Sequence, residues 1–423
     1  MIDSYTVTPS TYVALATVGV AFLVYGGLGR LLNRLSFSSA MFFLLVGVAA
    51  STVGLGTISA EAAGLLLRIY AEVTLAIVLC TESARMDFRA LRRDLGTPVR
   101  LIAIALPASI VLGGIAAWLM LPGIGWVEAA LLAVVLAPTD ADLARPVATN
   151  PDVPEEVALG IEVESGLNDG ICVPLLLTLG ALAVGAQSDE AAAPMLLRFL
   201  SDELGIGTGV GAAVGFAFIW FANTTKGRFF VVGSWLLVPF VALAISSFAL
   251  AQSLGGSGFI AAFVSGVVVS FDNQKRRFKL IETSEGLANV VSALTWIAFG
   301  VFCIPIVWAS ATWSMAVLSI LFLTAVRMGP VMVALIASGL PASQRAFVGW
   351  FGPRGLASIA FLMLLLDEGV ITTDGPIFEV TVLTIAASIV LHGISAGPLA
   401  AMIGRPSDTG ESSIENQKRN TDQ

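Results

Sequence analysis

Apolar runs of about 20 residues recur from one end of this 423-residue chain to the other. A run of that length lets an α-helix cross a hydrocarbon core about 30 Å thick. Only 12% of the residues are charged, which is about half the fraction found in an average soluble domain. The sequence therefore predicts an all-α membrane protein, because a membrane β-barrel would show alternating segments of roughly ten residues instead.

Charges, prolines and glycines divide the apolar sequence into thirteen predicted transmembrane helices. The sixth and eleventh runs are longer than a bilayer requires, which predicts tilt or an extension along the interface. Residues 1–405 form one polytopic unit in this interpretation, and the polar residues 406–423 are predicted to be a disordered cytoplasmic tail. The predicted spans are about 11–29, 38–58, 62–82, 97–121, 126–143, 156–185, 204–222, 229–251, 255–272, 284–305, 311–338, 345–366 and 376–402.

The distribution of basic residues tests this division and orients it. Of the 22 lysines and arginines, 18 fall on one predicted side, two on the other, and two inside spans. Lysine and arginine collect in the cytoplasmic loops of membrane proteins. The pattern predicts an outside N-terminus, a cytoplasmic C-terminus and insertion in an inner membrane of bacterial type.

Several charged side chains lie inside predicted spans, where each costs about 2.5–3.5 kcal/mol on the insertion scale. Residues four apart share a helix face, so the sixth span presents Glu164 with Asn168 and Ser165 with Asp169. Carboxylate, amide and hydroxyl oxygens suit a hard cation such as Na⁺ or Li⁺. Asp169 is interpreted as functional, whereas Glu164 is better explained as half of a static buried ion pair with an arginine.

The fifth and twelfth spans contain residues that interrupt a helix. Pro138 comes two residues before Asp140, and the twelfth span contains Gly-Pro-Arg-Gly at 352–355. Spans seven apart run in opposite directions, as in inverted repeats whose unwound helices cross at a midplane binding site. There a carboxylate, Asp140, suits positive helix N-termini, and Arg354 suits negative C-termini. The alternative for the twelfth span is a kink with a snorkelling arginine.

These motifs resemble those of one transporter family. Ala-Pro-Thr-Asp-Ala-Asp (137–142), Glu-Ser-Gly-Leu-Asn-Asp-Gly (164–170) and Gly-Trp-Phe-Gly-Pro-Arg-Gly (349–355) resemble, in this order, the monovalent cation:proton antiporter-1 family, the NhaP-type Na⁺/H⁺ exchangers. The sequence at 81–93 resembles the end of that family's third helix. The resemblance covers nearly the whole chain, and the Asn-Asp pair is its most specific element. Ala141 departs from the pattern, in which proline often follows Thr-Asp.

The resemblance implies a fold of thirteen helices in two groups. Dimerisation helices would lie at about 11–82 and 229–305, and core helices at about 97–185 and 311–402. The implied partners are a second copy of the chain, membrane lipid and the transported ions, with no nucleic acid. Asn168 stands where an electrogenic branch of the family carries aspartate, which implies electroneutral one-for-one exchange.

The resemblance also assigns roles to individual side chains. Asp169 would be the carboxylate that binds either the cation or the proton. Further Na⁺ ligands, or support for them, would come from Thr139, Ser165 and Glu82. The residues that would support the site are Asn168, which would tie the fifth helix to the sixth, Glu164 paired with Arg327, and Asp140 and Arg354 at the broken-helix ends.

The predicted function is secondary active exchange of Na⁺ or Li⁺ for a proton by alternating access. Burial favours the protonated form of a carboxylate and a nearby cation favours the charged form, so the two ligands compete at Asp169. A K⁺/H⁺ antiporter of the same fold and, in another class, a cation channel or uniporter are the alternatives. No cofactor is expected, and one histidine with three scattered cysteines gives an intramembrane enzyme little support. The sequence assigns no role to Glu72, Asp142, Glu162 or His392.

Overall fold

The computed structural model describes residues 9–34, 37–52, 60–86, 96–185, 192–224, 237–272 and 274–403. Predictions about the tail and about the basic loop at 87–95 concern residues outside these ranges. Every regular element within them is helical. In chain order the elements are α1 Pro9–Arg34, α2 Ser39–Thr52, α3 Ala60–Arg85, α4 Gly96–Arg100, a π-helical turn Leu101–Ala105, α5 Leu106–Met120, α6 Trp126–Val135, α7 Ala141–Ala148, α8 Glu155–Gly185, α9 Ala192–Thr224, α10 Val238–Ser253, α11 Gly258–Ser270, α12 Gln274–Ser310, α13 Trp313–Leu323, α14 Ala325–Ala334, α15 Ala342–Trp350, α16 Leu356–Asp367 and α17 Pro376–Ile403.

The helices agree with the predicted membrane fold. Within the described residues, eight helical stretches are long and apolar enough to cross a membrane, and five shorter apolar helices occupy the other predicted spans. Each predicted span thus has a helical counterpart, while the number of actual crossings stays a prediction. Helices α9 and α12 begin earlier than predicted, at Ala192 and Gln274, because charged residues stand between the first residue of each helix and the apolar run that follows.

Both predicted helix breaks are present. Residues 136–140 separate α6 from α7, and residues 351–355 separate α15 from α16. Proline lacks the amide hydrogen that a helix interior needs and clashes with the preceding turn. The first break forms although Ala141 stands at the first position of α7, so a second proline is not required there.

Two further departures from α-helix geometry were missed by the sequence analysis. The overlong eleventh run, predicted to tilt or extend, is interrupted at Thr324 (φ −110°, ψ −97°), between α13 and α14. The fourth span contains the π-helical turn Leu101–Ala105, which packs against α14. Neither place contains proline or glycine at the break itself. These irregular spans are the fourth and the eleventh, and the broken spans are the fifth and the twelfth. Each broken span therefore directly follows a span with irregular helix geometry.

The helices pack in two groups that meet along several contacts. Helices α2, α3 and α9–α12 contact one another, and α4–α8 pack with α13–α17. The groups meet mainly where α3 contacts α16 and where α8 contacts α9, and also where α8 contacts α3 and α11, where α17 contacts α2 and α12, and where α12 contacts α16. Gly211 on α9 lies so close to α11 that a Cβ there would come within 2.4 Å of the Ala261 carbonyl oxygen, which explains glycine in this run. The assignment of one group to dimerisation stays a prediction.

Candidate functional site

The two broken helices cross, and one carboxylate caps the N-terminal ends of both second halves. Asp140 accepts hydrogen bonds from the amide of Leu143 at 3.0 Å, in α7, and from the amide of Leu356 at 2.7 Å, in α16. Its own amide donates to the Pro353 carbonyl oxygen at 2.7 Å. A Cβ at Gly355 would overlap the carboxylate. Negative charge at helix N-termini is electrostatically favourable, so Asp140 joins the two breaks.

The carbonyl oxygens at and just after the C-terminal end of α6 accept hydrogen bonds from the other broken helix. The Arg354 guanidinium donates to the Ala137 carbonyl and, at 2.9 Å, to the Pro138 carbonyl. Ser358 Oγ donates to the Val135 carbonyl at 2.7 Å. Positive charge and donors at a helix C-terminus balance its unpaired carbonyls. Arg354 is buried, and its contacts here favour a structural role over a snorkelling arginine.

A cluster of oxygen atoms lies where α8 passes the first break. Thr139 Oγ1 lies 3.0 Å from Ser165 Oγ and accepts from Asn168 Nδ2 at 2.6 Å. Asp169 follows on the same helix and is 5% exposed. Its Oδ1 atom has no hydrogen-bond partner among the described residues, nor does Asn168 Oδ1. A buried acceptor without a partner is costly, which marks this place as one where a ligand or a proton can be gained.

Glu82 approaches this cluster from α3. A Cβ at Gly166, in the helical turn between Ser165 and Asp169, would lie 3.7 Å from Glu82 Oε2. Glu82 is 8% exposed. Its other oxygen lies 3.7 Å from the Arg145 guanidinium and 4.0 Å from Arg85 Nε. Glu82 thus stands between the oxygen cluster and a group of charged side chains.

Glu164 and Arg327 form a bidentate ion pair next to this cluster, with Glu164 one helical turn before Asn168 on α8. The two guanidinium nitrogens lie 2.5 and 2.7 Å from the two carboxylate oxygens. Both side chains are almost fully buried, and the contact links α8 to α14. This is the pairing that the resemblance implies. Neither residue is hydrogen-bonded to Thr139, Ser165 or Asp169.

Arg145 gathers three carboxylates from three helices. Its guanidinium lies 3.2 Å from Asp142, 3.5 Å from Glu285 on α12, and 3.7 Å from Glu82. Asp142, which the sequence left without a role, is therefore part of an ion network at this end of the site. Arg145 falls in the loop between the predicted spans 126–143 and 156–185, and its spacing of three from Asp142 is the sequence signal for this contact.

The other unassigned residues lie apart from the cluster. Glu72 accepts from Arg68 Nε at 2.8 Å, and Arg68 also pairs with Asp367 at the end of α16. Glu162 is exposed on α8. The Arg68 pair joins α3 to α16, as the pair between Arg145 and Glu285 joins α7 to α12.

A cavity of about 790 Å³ leads toward the helix crossing. It lies between α1, α2 and α12 on one side and α7 and α17 on the other. Asp140, Asp142 and Arg145 are in its lining, with the aromatic side chains of Phe22 and Trp296. Within the described residues the lining reaches Asp140 but not Asp169, so the cavity ends at the crossing.

Replacing Asp140 with asparagine is expected to lower the thermal unfolding temperature. One oxygen then remains for two buried amides, and a buried donor without a partner costs about 1–3 kcal/mol. The measurement is thermal unfolding of the purified protein in detergent. Asp142→Asn is the matched control, because Asp142 is partly exposed and surface ion pairs contribute about 0–1 kcal/mol. Equal unfolding temperatures for the Asp140 variant and the parent would contradict the capping role.

Comparison with known proteins relates the chain to ion exchangers. The family model described as "Sodium/hydrogen exchanger, transmembrane" matches residues 18–402. A K(+)/H(+) antiporter NhaP of Alkalimonas amylolytica is 26% identical over 388 residues, which make up 90% of this chain and 65% of that protein. A Na(+)/H(+) antiporter NhaP of Pseudomonas aeruginosa is 26% identical over 405 residues, covering 88% of this chain and 92% of that protein. This chain thus spans less than two thirds of the length of the Alkalimonas relative.

A solved structure has the same fold. The sodium proton antiporter MjNhaP1 from Methanocaldococcus jannaschii superposes with a TM-score of 0.72 at 17% sequence identity. The match covers 94% of this chain and 100% of that chain. Similarity at this level of identity concerns the arrangement of the helices.

Proposed function

This chain belongs to the transmembrane sodium/hydrogen exchanger family, and we propose from this premise that it exchanges a monovalent cation for a proton across a membrane by alternating access. The observation that carries the proposal is the buried Asp169 carboxylate, which has an oxygen without a hydrogen-bond partner among the described residues. Ser165 lies one helical turn before Asp169 on α8, and its hydroxyl is 3.0 Å from the Thr139 hydroxyl on the first break.

Exchange follows from competition for Asp169. A carboxylate in low dielectric is costly as a bare anion, so it takes either a proton or a cation. Arg327 is paired with Glu164, and Arg354 donates to the carbonyl oxygens of Ala137 and Pro138, so neither arginine forms an ion pair with Asp169. If the site changes access only when it holds one ligand, each cation that moves one way is balanced by a proton moving the other way.

The position of each proposed ligand residue determines which oxygen atoms it supplies to the cation. Thr139 and Ser165 supply hydroxyl oxygens, and Glu82 supplies a carboxylate next to the turn of α8 that carries Asp169. Asn168 holds Thr139 against α8. Oxygen ligands of this kind suit Na⁺ or Li⁺. With one carboxylate cycling between one proton and one cation, exchange is electroneutral and does no work against the membrane potential, which otherwise amounts to about 2.3 kcal/mol per charge per 100 mV.

K⁺/H⁺ exchange by the same site is the second candidate. It is favoured by the name of the Alkalimonas relative, a K(+)/H(+) antiporter that matches 90% of this chain. The Pseudomonas relative carries the Na(+)/H(+) name at the same identity. Ligand chemistry alone does not choose between these ions, because both are hard cations that bind oxygen.

We also propose a membrane location, an orientation and a dimerisation surface for the protein. The asymmetry of basic residues supports an inner-membrane location with the N-terminus outside and the C-terminus in the cytoplasm. The packing of α2, α3 and α10–α12 with one another supports the assignment of the helices at about 11–82 and 229–305 to dimerisation, beside a moving core. The Arg68–Asp367 and Arg145–Glu285 pairs both join this group to the core and would have to open when the core moves.

The function is tested in liposomes that contain the purified protein and a trapped pH-sensitive dye. Gradients of Na⁺, Li⁺ and K⁺ are imposed in turn, with the membrane potential clamped at zero and then at a large value. We expect proton movement in response to Na⁺ or Li⁺ that the clamp does not change. A response to K⁺ alone would favour the second candidate, and cation flux without proton movement would place the protein among channels.

A further inference from the structure

The only histidine of the chain faces the second helix break. His392 lies on α17 and is 3% exposed, and its Nε2 atom lies 2.8 Å from the carbonyl oxygen of Trp350, the last residue of α15. A carbonyl oxygen can only accept a hydrogen bond. The hydrogen of this contact is therefore on Nε2, and His392 satisfies the C-terminal end of α15.

Ser388, one helical turn earlier, contacts the other side of the same break. Its Oγ atom accepts a hydrogen bond from the Arg354 amide at 2.7 Å and lies 3.0 Å from His392 Nδ1. The hydroxyl hydrogen of Ser388 is thus available to Nδ1. Together these bonds run from the Arg354 amide through Ser388 and His392 to the Trp350 carbonyl, and they span the unwound residues 351–355.

The bond to Trp350 requires a hydrogen on Nε2, whichever form Nδ1 takes. Nδ1 lies 3.0 Å from Ser388 Oγ and 2.9 Å from the Ser388 carbonyl oxygen, so it has an acceptor role toward the hydroxyl or, when protonated, a donor role toward the carbonyl. The charged groups that act on the ring are Arg354 and Arg327, and the cavity that it borders also holds Asp140, Asp142 and Arg145. An additional buried positive charge beside two arginines is unfavourable. The rings of Trp350 and Phe351, at 5.1 and 6.2 Å between centroids, pack against the imidazole.

We propose that His392 and Ser388 are positioning residues that hold the unwound segment 351–355 in the geometry needed by the site. Through these two residues helix α17 bonds to both ends of the unwound segment, at the Trp350 carbonyl and at the Arg354 amide. We call this pair of contacts the splint. His392 works as a hydrogen-bond donor to the Trp350 carbonyl.

The splint matters because the segment that it holds is bonded to the first break. The Pro353 carbonyl accepts from the Asp140 amide, and Asp140 accepts from the Leu356 amide. Thr139, the proposed ligand, directly precedes Asp140. A shift of residues 351–355 would therefore move the Thr139 hydroxyl relative to Asp169. This transport consequence rests on the proposed function, whereas the hydrogen bonds themselves can be tested without transport.

The tautomer is measured by NMR on protein labelled with ¹⁵N-histidine and made without added histidines. Because the chain has one histidine, every imidazole signal belongs to His392. We expect a proton on Nε2 at neutral and mildly acidic pH, and a changed Nδ1 shift in Ser388→Ala. A ring without a proton on Nε2 would overturn the splint.

Two amide variants separate a positioning role from a merely structural one. Glutamine places an amide nitrogen near the position of Nε2, and asparagine places one near Nδ1. In liposomes, His392→Asn should raise the apparent KM for the cation about tenfold, the loss expected when one buried hydrogen bond is unmade, while His392→Gln stays within about twofold of the parent. Thermal unfolding and size-exclusion profiles verify that both variants are folded.

Each outcome of this comparison decides the proposal. Equal KM values for the two variants and the parent would refute the positioning role, as would equal damage by both amides. A shifted pH profile in His392→Gln would make the histidine a titrating sensor and refute a role limited to positioning. If the parent protein shows no exchange, the proposed function fails, and the tautomer measurement still decides whether the splint exists.

Discussion

Replacement of Asp169 by asparagine is expected to abolish cation-driven proton movement in liposomes, down to the level of protein-free vesicles. Asparagine has nearly the same size and keeps one oxygen in place, but it can neither take up a proton nor carry a negative charge at neutral pH. The buried Oδ1 atom without a partner and the neighbouring Ser165 and Thr139 hydroxyls would then face a neutral group. The cation loses its charged ligand, and the proton loses its acceptor.

The control for this variant is Glu162→Gln. Glu162 lies on the same helix, seven residues earlier, and is exposed, so the substitution makes the same chemical change outside the oxygen cluster. We expect it to exchange at the parental rate. Both variants should elute as folded protein, and Asp169→Asn should be at least as stable as the parent because it removes a buried charge. Exchange by Asp169→Asn at the parental rate would remove Asp169 from the mechanism.

Much of the site could be predicted because its residues stand out against an apolar background. Asp140, Asp169, Arg327 and Arg354 attract attention since each would be expensive in a membrane without a partner. The two breaks were predictable for a local reason: Pro138 and the Gly-Pro-Arg-Gly at 352–355 interrupt a helix wherever it lies. Composition and local chemistry were sufficient for these features.

The remaining features depend on contacts between distant residues. The break at Thr324 contains no proline, and the helix there is interrupted where Arg327 reaches Glu164 on another helix. Asp140 was expected at helix ends, but its simultaneous contact with Leu143 and Leu356 depends on how closely the two breaks approach. Ser358 and Ser388 are ordinary helix residues in the sequence, and only the folded chain shows that they satisfy the ends of broken helices.

The Glu164–Arg327 pair is expected to have the largest effect on stability. Arg327→Met leaves a carboxylate almost fully buried without its guanidinium, and removal of one partner from a buried pair costs about 3–5 kcal/mol. Glu164→Gln leaves Arg327 in the same position and should be destabilising as well. We expect the thermal unfolding temperature to fall clearly in both variants, and less protein to reach the membrane.

The double variant Glu164→Gln/Arg327→Met distinguishes a packing role from a role in transport. Because the double variant leaves neither charge buried without its partner, it should be more stable than either single variant. The pair lies on a different face of α8 from Asp169 and shares no hydrogen bond with it, so exchange should return with stability. Restored stability without exchange would instead mean that the charges of Glu164 and Arg327 act on the cation site, whereas unchanged unfolding in the single variants would show that the pair contributes little to the fold.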